Sequence, residues 1–538
     1  MAFCDFIATY GKPNANTVTG EPSLMRCRTL TKVVLLAILA GGSVGLTAPE
    51  IRASNLVAST SAGQMGDAQP QTAPLWQSET RFAHLLEALE GLQSHGLNPA
   101  DYYLHALSRL QNAPAEREQL ATKAWLLAAQ HLAYGRLHLT EREADWRAGR
   151  EFVDLQAHLH RAVATGTVAS SLDDLAPRNS EYRELMAELD RLRDEPQGQA
   201  ILLPDGPSLR KGDSGFQVEL LKARLAQLGY FVNGMTEAKF GDDLAQAVET
   251  FQWDAGLEPD GIVGPATRAI LNLSTSRKID RLRINLERLR WLPGDLGQRH
   301  VRVNIAGFEV SAYADSERVQ THRAIVGRLE RQTPVFSDHI EYIVFNPWWE
   351  TPASLARNDE LPLFRRDPDA VKRLGFQVLD RDGNVVDPNT IDWNEVPYSP
   401  FPYRLRQAPG PLNALGQVKI IFPNRHNVYL HDTPKRQLFS RSKRTFSSGC
   451  IRVQGVLDLV RWLLNDPERW GPDQVQAVVA SGKERVVRLD EHLPVHILYL
   501  TATTTPDGMV RYLPDVYERD EAVLAALETP LPVARAEY

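Results

Sequence analysis

The hydrophobic positions of the N-terminal third recur with the period of a helix. Between residue 76 and about residue 195, one apolar face contains Phe82, Leu85, Leu86, Leu89 and Leu92. A second helix is predicted around Trp125 to Leu132. We therefore expect a helical domain over 76–200. A linker at 55–75, rich in Ser, Ala, Gln and Gly, precedes it.

A second, smaller helical unit is predicted over 208–273. The segment KGDSG at 211–215 forms a turn and a helix start, and Val218, Leu221, Leu225 and Leu228 follow on one apolar face. The segment FGDD at 240–243 opens a second helix. The segment DGIVGPAT at 260–267 gives a turn with Pro265 near the first position of a third helix. These patterns predict a small three-helix bundle.

After a further predicted helix at 277–291, the pattern changes to the alternation of β-strands. Short alternating runs lie at 301–305, 308–313, 340–345, 418–422 and 428–431. They predict a β-rich domain over 301–520, followed by a C-terminal tail at 521–538. An insertion at about 348–406 interrupts it, with a helical piece at 352–364. The predicted fold class is thus multidomain α+β.

The first 54 residues have the features of a targeting segment. Basic residues after Met25 are followed by an apolar run from Val33 to Leu46 and a cleavage-like Leu46-Thr-Ala48. Met25 is the alternative start of the protein. The run is short for a membrane crossing of about 20 residues. We expect export to the periplasm of a Gram-negative envelope, with a membrane tether if the segment is not cleaved.

Composition and charge narrow the possible partners. Hydrophobic residues make up 43% and charged residues 24%, which is ordinary for a globular protein. The net charge of -7 and the lack of a dense basic tract argue against a nucleic-acid partner. His84, His95, His105 and His131 are scattered and are expected to have structural roles.

Cysteine usage points to one candidate nucleophile. The chain contains Cys4, Cys27 and Cys450, and removal of the targeting segment would leave Cys450 alone. A single thiol cannot form an internal disulfide, and metal sites normally need several ligands. Cys450 is therefore either core packing or a nucleophile.

His431 and Cys450 form the candidate catalytic pair. His431 ends a predicted strand 19 positions before Cys450, and Cys450 follows the turn Ser447-Ser448-Gly449. A thiol needs a neighbouring base or a positive environment to become a nucleophile. His431 would be the base, and a helix predicted to begin just after Cys450, over 456–464, would supply the positive environment. Backbone amides of Ser448, Gly449 and Cys450 would stabilise an oxyanion.

Two segments resemble known families. The stretches LRKGD, LAQLGY and DGIVGPAT of the 208–273 unit resemble the peptidoglycan-binding domain of cell-wall enzymes. His431, Ser447, Gly449, Cys450 and Arg452 resemble the active-site motif of YkuD-type L,D-transpeptidases, although many members have histidine where this chain has Ser448. The arrangement is similar to the large Gram-negative branch, which joins a helical scaffold, a peptidoglycan-binding domain and a β-rich catalytic domain with an inserted capping subdomain.

The resemblance implies a Cys450 acyl-enzyme that forms 3→3 cross-links between diaminopimelate residues of peptidoglycan stem peptides, and acylation by carbapenems. It also implies that no metal or other cofactor is required. Arg452 could bind a substrate carboxylate or make a structural salt bridge. Tyr429 shares the strand face of His431 and, with Ser447 and Trp349, is a candidate substrate-binding residue. Asp432 should point away from His431 to the surface, so that a backbone carbonyl orients the imidazole.

Two alternatives stay open. The same site could pass the acyl group to water, as an L,D-carboxypeptidase or endopeptidase. The protein could also be a non-catalytic wall-binding scaffold with an unreactive Cys450. A zinc peptidase is less consistent with the sequence, which contains no HExxH motif.

Overall fold

The computed structural model describes residues 74–110, 113–138, 142, 152–195, 200–231 and 238–531. The predicted targeting segment, nearly all of the predicted linker and the last seven residues lie outside this range. Within the described ranges, no helix is both long and apolar enough to cross a membrane.

The N-terminal region is helical, as its apolar period predicts. Its α-helices are α1 Glu79–Glu90, α2 Leu104–Arg109, α3 Pro114–Tyr134, α4 Leu155–Thr165 and α5 Ser180–Asp194. Side chains of Ser78, Asp154 and Asn179 cap the starts of α1, α4 and α5 by accepting backbone N–H groups. The helix predicted at 125–132 is the C-terminal part of α3. Two of the four scattered histidines are buried with hydrogen-bond partners: His95 contacts Tyr182 and Asp173, and His131 contacts Tyr102.

The small bundle is also present. Its helices are α6 Phe216–Gln227, α7 Asp242–Asp254 and α8 Pro265–Leu271, and Pro265 opens α8 as predicted. These helices enclose a hydrophobic core of their own, which includes Leu221, Val248 and Leu271. The chain then continues into α9, Thr275–Arg290.

The C-terminal half holds the strands. In chain order they are β1 Arg299–Asn304, β2 Glu309–Ala314, β3 Glu317–Gly327, β4 Phe336–Phe345, β5 Trp349–Glu350, β6 Phe376–Leu379, β7 Val385–Val386, β8 Arg404–Gln407, β9 Val418–Ile421, β10 Leu430–His431, β11 Thr445–Ser447, β12 Ile451–Val453, β13 Arg485–Leu498, β14 Ala502–Thr504 and β15 Val510–Tyr512.

Nine of these strands form one sheet, in the order β11-β3-β12-β10-β9-β4-β13-β1-β2. The long strand β3 pairs with β2 through its first half and with β12 through its second half, so the sheet closes on itself. Closure places β10 between β9 and β12, with an apolar interior that includes Val303, Ile343 and Ile420. The predicted α+β class is confirmed.

The insertion is a separately packed subdomain. Its α-helices are α10 Ala353–Leu355, α11 Leu361–Arg366 and α12 Ala370–Arg373, and a π-helical segment, Ala356–Glu360, joins the first two. Strands β5, β8, β6 and β7 form its sheet. Its own core includes Phe364 and Trp393. The helical piece predicted at 352–364 is thus present, with a π turn at its centre.

The remaining helices are α13 Val456–Leu464, α14 Pro472–Ala480 and α15 Asp520–Glu528. Helix α15 occupies part of the predicted C-terminal tail, because Val523 and Leu527 are buried against the rest of the protein. Helix α9 packs on α5, α15 and β14. The helical region at 76–200 and the β-rich domain consequently share one continuous core.

Candidate active site

Strand register brings the predicted site residues onto one face of the sheet. In the parallel pair β10–β12, Leu430 lies opposite Ile451 and His431 opposite Arg452. The Ile451 amide donates to the Tyr429 carbonyl at 3.1 Å, which places Cys450 beside Tyr429. Since side chains alternate along strands, Tyr429, His431, Cys450 and Arg452 project from the same face.

These four side chains line one cavity of about 760 Å³. The opposite wall belongs to the insertion and includes Trp349. The predicted nucleophile and the predicted base therefore open into the same cleft, although the chain separates them by a loop and strand β11.

The imidazole of His431 is held in one tautomer. Its Nδ1 lies 2.6 Å from the backbone carbonyl of Asp432, and a carbonyl can only accept, so Nδ1 carries the proton. Burial, and then the charges of Arg452 and Lys419, lower the pKa of His431 to about 3. The ring is consequently neutral at pH 7, with Nε2 as a proton acceptor.

Asp432 does not orient the imidazole with its side chain, as the strand alternation indicates. Its Oδ2 accepts from the Gln417 amide at 3.0 Å and lies 3.5 Å from Arg436. The surface role expected for this residue is wrong, because Asp432 is only 5% exposed. Its carboxylate packs against Gly416, which has a φ of 62°. The Asp432 carboxylate thus braces the turn before β9.

Cys450 is half-buried and uncharged at rest. Burial raises the pKa of its thiol, while hydrogen bonds with Tyr429 and the charge of Arg452 oppose this rise. The helix predicted over 456–464 is confirmed as α13, Val456–Leu464, but strand β12 lies between Cys450 and the first residue of this helix. A neutral thiol without an adjacent helix start needs a base to become a nucleophile.

The turn before Cys450 is braced by Ser447. The Ser447 hydroxyl donates to the Cys450 carbonyl at 2.6 Å and accepts from the Gly449 amide at 3.2 Å. Gly449 has a φ of 118°, a conformation that residues with a Cβ rarely adopt. Ser447 is buried, and its hydroxyl serves this turn rather than a substrate. The Gly449 amide is likewise engaged, which leaves the Ser448 and Cys450 amides as the predicted oxyanion donors.

The insertion contacts the nucleophile turn through charged residues that the sequence analysis did not identify. Asp359, in the π-helical segment, accepts from Arg328 at 3.1 Å and from both terminal nitrogens of Arg331 at 2.5 and 3.0 Å. The same two arginines each lie 3.3 Å from the Ser448 hydroxyl. No local pattern marks these residues, because they lie far apart along the chain.

Arg452 and Lys419 are both half-buried cations beside His431. Lys419 lies opposite His431 in β9, and its Nζ is 5.9 Å from the centroid of the Tyr429 ring. The Arg452 Nε is buried and has no hydrogen-bond partner. In the part of the chain that the structure describes, neither cation forms an ion pair with a carboxylate. This geometry does not provide the structural salt bridge that was an alternative role for Arg452.

Comparison with known proteins gives three family matches along the chain. Residues 298–488 match the family model of the L,D-transpeptidase catalytic domain, YkuD. Residues 68–189 match the model of the "Scaffold domain", and residues 214–271 match that of the "Putative peptidoglycan binding domain". The resemblances drawn from the sequence motifs are confirmed.

One curated protein and several crystal structures also resemble this chain. A Haemophilus influenzae protein named "Putative L,D-transpeptidase" is 37% identical over 243 residues, which cover 45% of this chain and 48% of the relative. The chain thus spans about half the length of that curated relative. Crystal structures of L,D-transpeptidases from Xylanimonas cellulosilytica and Stackebrandtia nassauensis are 17% and 12% identical.

The two crystal structures each align with 55% of this chain, and with 98% and 96% of their own chains, at TM-scores of 0.18 and 0.21. These TM-scores are too low to support a conclusion about the fold of this chain.

Proposed function

We propose that the protein is a peptidoglycan L,D-transpeptidase that forms 3→3 cross-links through a Cys450 acyl-enzyme. The observation that carries the proposal is the shared cavity of Cys450 and a neutral His431 whose Nε2 can accept a proton. The family match of residues 298–488 supports the same chemistry. The substrate would be a donor tetrapeptide stem of peptidoglycan.

In the proposed acylation, His431 Nε2 removes the thiol proton as Cys450 Sγ attacks the carbonyl carbon of the third stem residue, diaminopimelate. Amides of Ser448 and Cys450 would donate to the oxyanion. When the tetrahedral intermediate collapses, the amide C–N bond breaks and the His431 proton passes to the amine of the leaving D-alanine. A thioester on Cys450 remains.

In the proposed transfer, the side-chain amine of a diaminopimelate on an acceptor stem attacks the thioester. His431 takes a proton from this amine, the C–S bond breaks and the Cys450 thiol is restored. Tyr429 and Trp349 would line the path of the stems, since both face the cavity. With water in place of the amine, the same steps would give an L,D-carboxypeptidase or endopeptidase.

The envelope location follows from the proposed substrate. The basic and apolar segment before residue 55 would direct export to the periplasm, and it would tether the protein to the membrane if it is not cleaved. The bundle at 208–273, which matches a peptidoglycan-binding family, would hold the catalytic domain near its substrate.

The test uses purified tetrapeptide stems and intact-protein mass spectrometry. The wild-type protein should gain the mass of a tripeptidyl group on Cys450 and release D-alanine, and Cys450→Ala should do neither. Exposure to meropenem should give a second adduct on the same residue. An unmodified Cys450 in both experiments would favour the non-catalytic scaffold.

A second assay separates transfer from hydrolysis. Incubation of the protein with sacculi, followed by muropeptide analysis, should yield diaminopimelate–diaminopimelate dimers if an amine is the acceptor. Tripeptides without new dimers would instead identify the hydrolase.

A further inference from the structure

Lys419 and Arg452 stand on either side of His431 in the sheet. His431 pairs with Lys419 in β9 on one side and with Arg452 in β12 on the other. Neighbouring strands are about 4.8 Å apart, and directly paired residues project to the same face. The two cations therefore flank the imidazole within the same cavity as Cys450.

Neither cation has an anionic partner in the described structure. Arg452 Nε is buried and makes no hydrogen bond. The acid that attracts Lys419 is Glu484, whose Oε2 instead accepts from the Trp348 amide at 2.8 Å. Partly buried cations without partners are costly unless an anion reaches them from outside. This pair is therefore suited to a carboxylate ligand.

We propose that Lys419 and Arg452 together bind the α-carboxylate of the residue that leaves during acylation, with Lys419 as the residue that sets the preference for a free carboxylate over a neutral terminus. The inference rests on the proposed function and adds Lys419 to the site that binds its donor. Arg452 would bind the carboxylate through its planar fork and Lys419 through its ammonium group.

The position of the leaving residue follows from the proposed proton transfer. His431 must reach the leaving amine to protonate it. In an amino acid the α-carboxylate is attached to the carbon that bears this amine, so the carboxylate must lie close to the imidazole. The positions beside His431 in the sheet are those of Lys419 and Arg452. A longer donor would place a neutral amide there and leave both cations unpaired.

Carboxylate binding would also change the basicity of His431. After burial, the charges of Arg452 and Lys419 are what depress the pKa of the imidazole. A carboxylate between the two cations offsets both charges, so the bound donor makes His431 a stronger base. Lys419 therefore acts as a specificity residue, because it contacts the terminus of the substrate and not the reacting atoms.

The experiment compares two donors with the full-length protein. One is the tetrapeptide stem with its free D-alanine carboxylate, and the other carries a terminal carboxamide. We expect wild-type kcat/KM to favour the carboxylate by about 10- to 100-fold, the effect of losing a hydrogen bond to a charged group. Lys419→Met should lose about tenfold on the carboxylate donor and little on the carboxamide donor. Lys419→Arg should restore most of the preference.

Lys443→Met is the matched control. It makes the same change at an exposed lysine that does not line the cavity, and it should keep the wild-type preference. Thermal melting of all variants checks that they fold, and Lys419→Arg provides a test with charge retained should Lys419→Met unfold.

The outcomes separate this inference from the proposed function. Acylation of the wild type by both donors at equal rates, or an unchanged preference in Lys419→Met, would overturn the carboxylate site and leave the L,D-transpeptidase proposal standing. A wild type that neither donor acylates would overturn both.

Discussion

At the candidate nucleophile, a single hydroxyl group joins the two walls of the cavity. The Tyr429 side chain hydrogen-bonds both Trp349, on the insertion, and Cys450. The bond to Cys450 opposes the rise in the pKa of the thiol that burial causes. Tyr429 therefore connects the capping insertion to the reactivity of the thiol, a role beyond the substrate contact that its strand position predicts.

Tyr429→Phe should slow the chemistry of Cys450 without unfolding the protein. Loss of the hydroxyl removes a hydrogen bond that favours the thiolate, so the pKa of Cys450 should rise by about one unit and its alkylation at pH 8 should slow about tenfold. The measurement is the pH profile of iodoacetamide labelling, followed by mass spectrometry. Tyr398→Phe, at an exposed tyrosine of the insertion, is the control. Equal profiles for the two variants would contradict this role of Tyr429.

At the scale of elements, helix α9 is buried although much of its sequence is charged. Glu287 and Arg290 are fully buried and lie 2.8 Å apart. Glu287 also accepts from the Trp291 indole at 2.8 Å and from the Leu137 amide at 2.9 Å. Arg290 donates to the Tyr182 hydroxyl and the His95 carbonyl, both at 2.9 Å. The ion pair thus fixes α9 against the helical region.

Glu287→Ala should destabilise the protein by about 3–5 kcal/mol, because it leaves the Arg290 charge buried without its partner. Asp458→Ala is a matched control: it also breaks a helical pair with an arginine three residues on, but Asp458 is 59% exposed. That change should cost at most about 1 kcal/mol. Urea unfolding measures both, and Glu287→Gln serves if the alanine variant does not fold. Equal losses of unfolding free energy in Glu287→Ala and Asp458→Ala would mean that the buried ion pair stabilises the protein no more than the exposed one.

For the molecule as a whole, several histidines are buried in neutral form. Burial lowers the pKa of His131, His300 and His496 to about 4 in each case. His300 stacks on Tyr313 with ring centroids 4.8 Å apart, and His496 packs against its edge. These rings lie in the helical region and in the sheet, so their protonation affects the shared core of both.

The free energy of unfolding should be nearly constant between about pH 7 and 8 and fall between pH 6.5 and 4. In this window the unfolded chain binds protons at these histidines and the folded protein does not, which costs up to about 1.4 kcal/mol per histidine per pH unit. Glu360 opposes the trend, because burial raises its pKa to about 7. Urea midpoints at pH 7.5, 6 and 5 test the net loss, and His300→Asn should flatten it. A midpoint that rises on acidification would show the reverse linkage.

Local patterns determined much of this protein directly. The period of apolar residues predicted the helices of the 76–200 region and of the bundle, and alternation predicted the strands that carry His431 and its neighbours. Alternation also placed Tyr429 with His431 and directed the Asp432 side chain elsewhere. These inferences hold because each concerns residues a few positions apart, where backbone geometry alone decides which side chains share a face.

Tertiary structure decided what depends on which strands become neighbours. Closure of the sheet set Lys419 and Arg452 on either side of His431, and it placed β12 between Cys450 and the helix predicted over 456–464. Docking of the insertion brought Asp359 to the nucleophile turn, and packing of α9 on α5 buried charges that the sequence would leave in water. Each of these contacts joins segments far apart along the chain, and their pairing follows from the packing of the whole core rather than from any local pattern.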